Sequence, residues 1–408
     1  MILENLNTKI NSKTQEISTW IDSHLSRILI PLYTSVDLRF SEQKIAPVDT
    51  NIFPAGFNNL TAEFQSNVGN LFKLAITSRY PSAKNILLVP ELNTRNPFYW
   101  ENIHVIKSTL ENAGYDVMVG IVNDEFHESK IVFESVSGHL IEGFKVKQRG
   151  TRVYIDDYCP DILLINNDFS EKCPKAIRDI EQPVLPPIEI GWHTRRKDVH
   201  FEFYNKLAVE LAEILEIDPW VITVETKFEG NVDFDDPDDR KRAALSAEKM
   251  LTELNKQYSE NSIEYSPTLF IKCNSGTYGM AVVNVSSSDE ILNFNSQNRK
   301  KMRVSKGGVP VRDIVLQEGI PTSLRLNSNL IAEPVIYLVD AKVAGMFYRA
   351  NKSRNENQNL NSRGMEFLTY DHKKENGIPP IYSLLSQVAT IAAGYEIEKV
   401  IKASSCIE

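Results

Sequence analysis

Residues 85–122 restrict the choice of fold more than any other stretch. NILLVPE (85–91) is an apolar run of the length of one buried strand. WENIHVIKSTLENAG (100–114) has helical spacing and ends on a glycine, and YDVMVGIV (115–122) is a second apolar run. Strand, helix and strand in that order predict a βαβ unit with parallel strands. DILLINND (161–168) reads as a further strand of the same sheet, and residues 131–155 as a hairpin beside it.

Elements are expected on both sides of this unit. Leu3, Leu6, Ile10, Ile17, Trp20, Ile21, Leu25 and Ile28 form one apolar stripe, which predicts an amphipathic helix ending before Pro31 and packed on its own domain. Residues 35–60 are rich in Pro, Asn, Asp and Gly and read as irregular and turn-laden. A helix is predicted over 61–79 and another over 199–216. WVITVETKF (220–228) reads as a strand, and DFDDPDD opens a helix with an Asp cap and a first-turn Pro. LFIKCN and MAVVNV predict a hairpin. IVLQEGI, a second hairpin in VIYLVDAKVAGMFYRAN, and a helix over 380–403 follow. The region after 220 is therefore expected to be α+β.

A chain of 408 residues is too long for one ordinary core, which predicts two or three subdomains. Its net charge of −9 argues against a general binder of nucleic acid or of membrane surfaces. The four cysteines are scattered, with no CxxC pair, which suits a reducing, cytoplasmic compartment. No signal peptide and no transmembrane run are expected. Walker, dinucleotide, zinc-protease and nucleophile-elbow motifs are absent.

Anion-binding candidates remain. In KCNSGTYGM, Gly276 and Gly279 let backbone N–H groups of Ser275, Gly276, Thr277, Tyr278, Gly279 and Met280 approach a ligand, with Lys272 on the preceding strand. Alone, such a segment is most often an ordinary hairpin. The strand end Gln317, Glu318, Gly319 and Ile320 can offer groups to an adenine edge. Asn93, Thr94, Arg95 and Asn96 follow an apolar strand, where open sheets bind ligands. Arg195 and Arg196 offer planar forks for a carboxylate, although taken alone they read more readily as a solvated basic patch. Asp49, Asn51, Asn58 and Asn59 sit among aromatics in PVDTNIFPAGFNN, and Asp49 is suited to an amino group. RKKMRVSK (299–306) reads as a solvated loop or a phosphate-facing lid, and DFDDPDD as a helix start rather than a calcium loop.

A lysine strand, a glycine turn, a strand with QEG and a hairpin ending in Arg resemble the nucleotide-binding half of the ATP-grasp fold. PVDTNIFPAGFNNL, PELNTRNPFYWENI, IGWHTRRKDVHF, KCNSGTYGM, VLQEGIPT and NLNSRGMEF together, in this order, resemble the proteobacterial-type glutamate–cysteine ligases. One departure is visible. The family's glycine loop usually reads Lys-Ala-Asp-Ala-Gly, whereas here it reads Lys272-Cys273-Asn274-Ser275-Gly276.

The resemblance implies an α/β N-terminal substrate domain over 1–198 and an ATP-grasp-like ATP-binding region of two subdomains, with a C-terminal helix, over 199–408. It implies ATP-dependent ligation of glutamate, through its γ-carboxylate, to cysteine, with ATP and Mg2+ as cofactors. Lys272 and the loop would hold the phosphates, Arg349 would sit at the transferred phosphoryl, and Glu333 and Asn361 would hold magnesium. Asp49, Asn51, Asn58, residues 93–96, Arg195 and Arg196 would receive the amino acids. Another carboxylate–amine ligase, such as a glutathione synthetase, and a non-catalytic nucleotide-binding regulator are the alternatives. A homo-oligomer is compatible with this reading.

Overall fold

In a computed structural model the described residues are 2–405, except 93, 95, 97, 170–172, 276–279, 305–307, 309, 327–328, 372–374 and 376. The elements in chain order are as follows. Helices α1 (Ile2–Ser12) and α2 (Thr14–Leu25) precede a hairpin of β1 (Tyr33–Phe40) and β2 (Ile45–Asn51). Next come α3 (Ala62–Arg79), β3 (Asn85–Pro90), α4 (Phe98–Asn112), β4 (Asp116–Ile121), β5 (Lys130–Glu134), β6 (Leu140–Lys145), β7 (Lys147–Arg149), β8 (Arg152–Tyr154), β9 (Ile162–Asn166) and β10 (Val184–Leu185). They are followed by α5 (Lys197–Leu215), β11 (Thr226–Glu229), α6 (Pro237–Glu260), β12 (Leu269–Cys273), β13 (Val282–Val285), α7 (Ser288–Leu292), α8 (Ser296–Lys301) and β14 (Ile314–Glu318). The chain closes with β15 (Arg325–Leu326), β16 (Leu330–Val339), β17 (Lys342–Asn351), β18 (Met365–Thr369) and α9 (Pro380–Ser405).

Among the described residues the strands form three larger sheets and a small two-stranded one, β7-β8. The predicted βαβ unit is β3–α4–β4, inside a sheet of order β10-β9-β3-β4-β6-β5. Its strands run parallel up to β6, and β5 is an antiparallel edge. Apart from Asn85 and Asn166 at their ends, β3 and β9 are apolar because both faces of this sheet are covered. The second sheet, β11-β14-β12-β13, is antiparallel and packs on α6. Asp236 caps α6 by accepting from Asp238 N and Asp239 N, so the acidic run is a helix start, as its sequence predicts.

The third sheet has the order β18-β17-β16-β1-β2, with β15 beside β16. It corrects the sequence reading at two points. Residues 35–60 do not form an irregular loop: their first part is the β1–β2 hairpin. Val36 and Leu38 point into the core while Asp37 and Arg39 point the other way, the two-residue alternation of a strand. Pro47 is tolerated because β2 is an edge, and a register shift follows Asp37. The second correction concerns residue 198. β1 pairs with β16, so one sheet draws strands from both sides of the division expected there. Two smaller differences occur: the first helix is interrupted at Lys13, and the strand in WVITVETKF is confined to Thr226–Glu229 after a turn of 3-10 helix at Pro219–Val221.

Helix α9 lies behind β1, β2 and β16 and packs on α5, and α3 covers β17. Gly345 permits the second contact. A Cβ on it would lie 2.6 Å from Phe64 Cγ on α3. Gly345→Ala is expected to lower unfolding stability by about 1–3 kcal/mol, read by urea denaturation. An unchanged midpoint would mean that α3 can move off β17 at no cost.

Candidate active site

The cleft lies between the β11–β14 sheet and the face of β1, β2, β16 and β17. Lys272 on β12 bridges the two sides, donating from Nζ to Val48 O at 2.9 Å and to Gln317 Oε1 at 2.6 Å. Opposite it stands Arg349 on β17. Its Nη1 donates to Asp37 Oδ2 at 2.6 Å and to Glu333 Oε1 at 2.9 Å, and its Nη2 to Asp37 Oδ1 at 3.3 Å. Glu333 and Arg349 are direct cross-strand neighbours, as are Asp37 and Asp49, so sheet register assembles the cluster. Arg39 donates from Nε to Glu333 Oε2 at 2.6 Å. Lys197, at the start of α5, donates from Nζ to Asp49 Oδ1 at 2.5 Å.

Four cations and three carboxylates therefore face one cleft: Arg39, Lys197, Lys272 and Arg349 against Asp37, Asp49 and Glu333. Burial would push the Asp49 carboxyl up, but Lys197, Lys272 and Arg195 outweigh it and hold it well below the usual carboxylate range. Burial opposes ionisation of Glu333 as well, and Arg39 and Arg349 overcome it. Asp37 is raised: burial comes first, and Glu333 adds to it against the pull of Arg349. Burial pushes the Lys272 ammonium down to about 8, against the pull of Asp49.

A larger cavity of about 600 Å³ adjoins this cleft and shares Asp49, Arg349 and Asn361 with it. Asn51, Asn58, Asn59 and Asn96 line it together with Phe53, Phe98 and Tyr337. Arg349 therefore stands where the two spaces meet.

The sequence candidates separate into groups. Lys272, Met280, Arg349, Glu333, Asn361 and Asp49 meet at the small cleft, and Asn51, Asn58 and Asn96 line the larger cavity. Ser275 lies just beyond β12, its hydroxyl 3.7 Å from Cys273 Sγ. Asn93, Arg95, Gly276, Thr277, Tyr278 and Gly279 lie outside the described residues. Thr94 accepts from Asn96 N at 3.2 Å, a local turn contact.

Several expected ligand contacts are already taken within the protein. The Glu318 carboxylate binds Lys44 Nζ at 2.8 Å and accepts from Glu225 N, away from the cleft. Gly319 N donates to Thr268 O, and Ile320 is core. Arg195 is not an open fork. It is buried, donating from Nε to Glu396 Oε2 at 2.9 Å and from Nη1 to Thr50 O at 2.6 Å. His200 binds Glu396 and Thr50 Oγ1, so this network braces β2 from behind. Arg196 donates to the carbonyls of Trp192, His193 and Arg195. A buried guanidinium needs acceptors, and Arg195 finds them in the protein, as does the half-buried Arg196.

Asp37, Arg39 and Lys197 were missed by sequence reasoning. The alternation in SVDLRF was the signal for the first two, but turn-forming residues around it masked the pattern. The departure at 274 has a local account. Asn274 Nδ2 donates to Asp198 Oδ1 at 2.8 Å, while its Oδ1 accepts from Asp198 N at 3.1 Å. An aspartate at 274 would set two carboxylates together at the start of α5, whereas the amide satisfies both contacts.

The chain matches the family model described as glutamate-cysteine ligase over residues 7–397. The chain belongs to the glutamate–cysteine ligase family. A crystal structure from Methylobacillus flagellatus KT, provisionally assigned as a gamma-glutamylcysteine synthetase, superposes with a TM-score of 0.87 at 33% identity, covering 98% of this chain and 96% of that one. Two others are a D-alanyl-alanine synthetase A from Vibrio cholerae and a glutathione synthetase like-effector from Globodera pallida. They share 11% and 10% identity over 78% and 86% of this chain and 81% and 82% of theirs, and TM-scores of 0.37 and 0.39 are too low to bear on the fold. No curated protein sequence matches the chain. Its activity is that of a glutamate–cysteine ligase, and membership of this ATP-dependent family implies use of ATP. No helix among the described residues is long and apolar enough to cross a membrane.

For magnesium, the oxygen donors on the small cleft are of the right chemical type. Among the described residues no three His, Cys, Asp or Glu side chains converge as a ready-made metal cluster. Both Glu333 oxygens and both Asp37 oxygens accept from guanidinium groups, whereas Asp49 is engaged through Oδ1. This fits an ion held in part by phosphate oxygens rather than by a protein cage.

Proposed function

We infer that the small cleft holds the terminal phosphates of ATP and that the adjoining cavity holds glutamate and cysteine. The supporting observation is the placement of Arg349, which lines both spaces and is fixed by Asp37 and Glu333. A carboxylate is a poor electrophile because its charge is delocalised. A γ-carboxylate oxygen attacks the terminal phosphorus of ATP. A new P–O bond forms, the bond to the bridging oxygen breaks, and ADP leaves with that electron pair. The cysteine nitrogen, neutral when it attacks, then bonds to the acyl carbon. The C–O bond breaks, phosphate leaves, and the nitrogen loses a proton to give the amide.

Lys272 and Arg349 supply fixed positive charge where charge accumulates on the moving phosphoryl. Glu333 and Asn361 would hold magnesium, whose chemistry there is to neutralise phosphate charge. Asn51, Asn58 and Asn96 position the amino acids, and Asp49 attracts an ammonium group. Arg95 keeps its role as partner of a substrate carboxylate in this reading. Glutathione synthetase chemistry has no support in the family match.

Phosphate release from ATP is expected to require glutamate and cysteine together, with a product of the mass of γ-glutamylcysteine. Release with other amines but not with cysteine would overturn the acceptor. Tight ATP binding without turnover on any pair would overturn the enzymatic reading.

A further inference from the structure

We propose that Arg39 is a direct contact for the terminal phosphate of the nucleotide, a role that rests on the reading above. Arg39 is buried on β1, with 3% of its surface exposed, and lines the same cleft as Lys272 and Arg349. Two of its nitrogens are fixed: Nε donates to Glu333 Oε2 at 2.6 Å, and Nη2 to Gln358 O at 2.7 Å. Nη1 is equally buried but has no hydrogen-bond partner. A buried cationic N–H group without an acceptor is costly, and folded proteins leave few of them. With the other two nitrogens held, the direction of Nη1 is set before any ligand arrives, as required of a preorganised donor.

Charge and position indicate the ligand. The cleft carries one more cation than carboxylate, which suits an anion. Arg39 lines the small cleft with Lys272 and not the larger cavity, whereas Arg349 lines both. The open N–H group therefore belongs to the nucleotide end rather than the amino-acid end. The Phe270 ring lies 5.5 Å from the Arg39 guanidinium carbon and closes one side with an apolar wall, which strengthens any charge-assisted bond made there.

The alternative is an arginine that serves only to neutralise Glu333. Calorimetric titration of the full chain, with magnesium, by a non-hydrolysable ATP analogue and by ADP separates the two. A contact to the terminal phosphate predicts that Arg39→Met loses about tenfold or more in affinity for the analogue and much less for ADP. Arg39→Lys keeps a cation near Glu333 but lacks the second nitrogen of the fork, and is expected to show the same selective loss with near-normal thermal stability. A purely structural arginine would weaken both ligands alike. An unchanged ratio of the two affinities in both variants, or failure of both to fold, would overturn the proposal. If the wild-type chain binds neither nucleotide, the reading of the cleft itself falls. If the wild type binds and Lys272→Met fails to bind while the Arg39 variants keep the normal ratio, only the role of Arg39 falls.

Discussion

Arg349→Met is expected to lower kcat by roughly 10²–10³-fold, the cost of removing a fixed charge from a transition state. Two effects act together. Arg349 is the cation placed between the phosphate end and the amino-acid end of the site. It is also the counter-charge of two buried carboxylates, Asp37 and Glu333. Taking it away leaves Glu333 with Arg39 alone and Asp37 without its guanidinium partner. Burial and the charge on Glu333 already raise the Asp37 carboxyl, so in the variant it takes up a proton. Breaking such a buried pair costs about 3–5 kcal/mol of stability, so urea denaturation must accompany the kinetics. Arg349→Lys restores a charge but not the planar fork that spans both carboxylates, and is expected to recover only part of the rate. Near-normal kcat in a folded Arg349→Met protein would remove Arg349 from the chemistry.

Lys272→Met is expected to lower kcat/KM for ATP by a factor on the order of 10²–10³. The lysine crosses from β12 to the backbone of β2, so its ammonium both links the two sides of the cleft and faces the anion. Its acidity gives a further signature. With burial pushing the free-enzyme group down to about 8, kcat/KM for ATP should fall as pH rises through that value. The stability effect has the opposite sign. Between about 8 and the ordinary lysine value of 10.5 the unfolded chain binds more protons at this site, so its contribution to stability rises with pH. Loss of activity in that window is then loss of charge, not unfolding at this group. Lys272→Arg should lose the alkaline limb even where its overall rate is low, because a guanidinium stays charged. A limb at the same pH in that variant would assign the titration to another group.

Local pattern carried the elements whose periodicity was uniform. β3, α4, β4 and β9 follow from short apolar runs around one amphipathic helix, and α6 from its Asp cap and first-turn proline. The β12–β13 and β16–β17 hairpins are legible for the same reason: each strand's apolar content is set by neighbours close in sequence. The resemblance of ordered segments gave the family, and Lys272, Arg349, Glu333, Asn361 and Asp49 do share a cleft.

The sequence alone determined the parallel sheet, the helix that starts at 237, and the apolar strand that carries Lys272. Those features depend on periodicity and capping, which act within a few residues. Tertiary structure decided which charges are open to a ligand. Arg195 and Arg196 look like free forks in the chain, but α9 and nearby carbonyls satisfy them. Arg39 looks like part of a loop, but pairing of β1 with β16, about 300 residues away, buries it beside Glu333 with one N–H group left over. A charge's availability depends on the partners that folding brings to it, and those partners are distant in sequence.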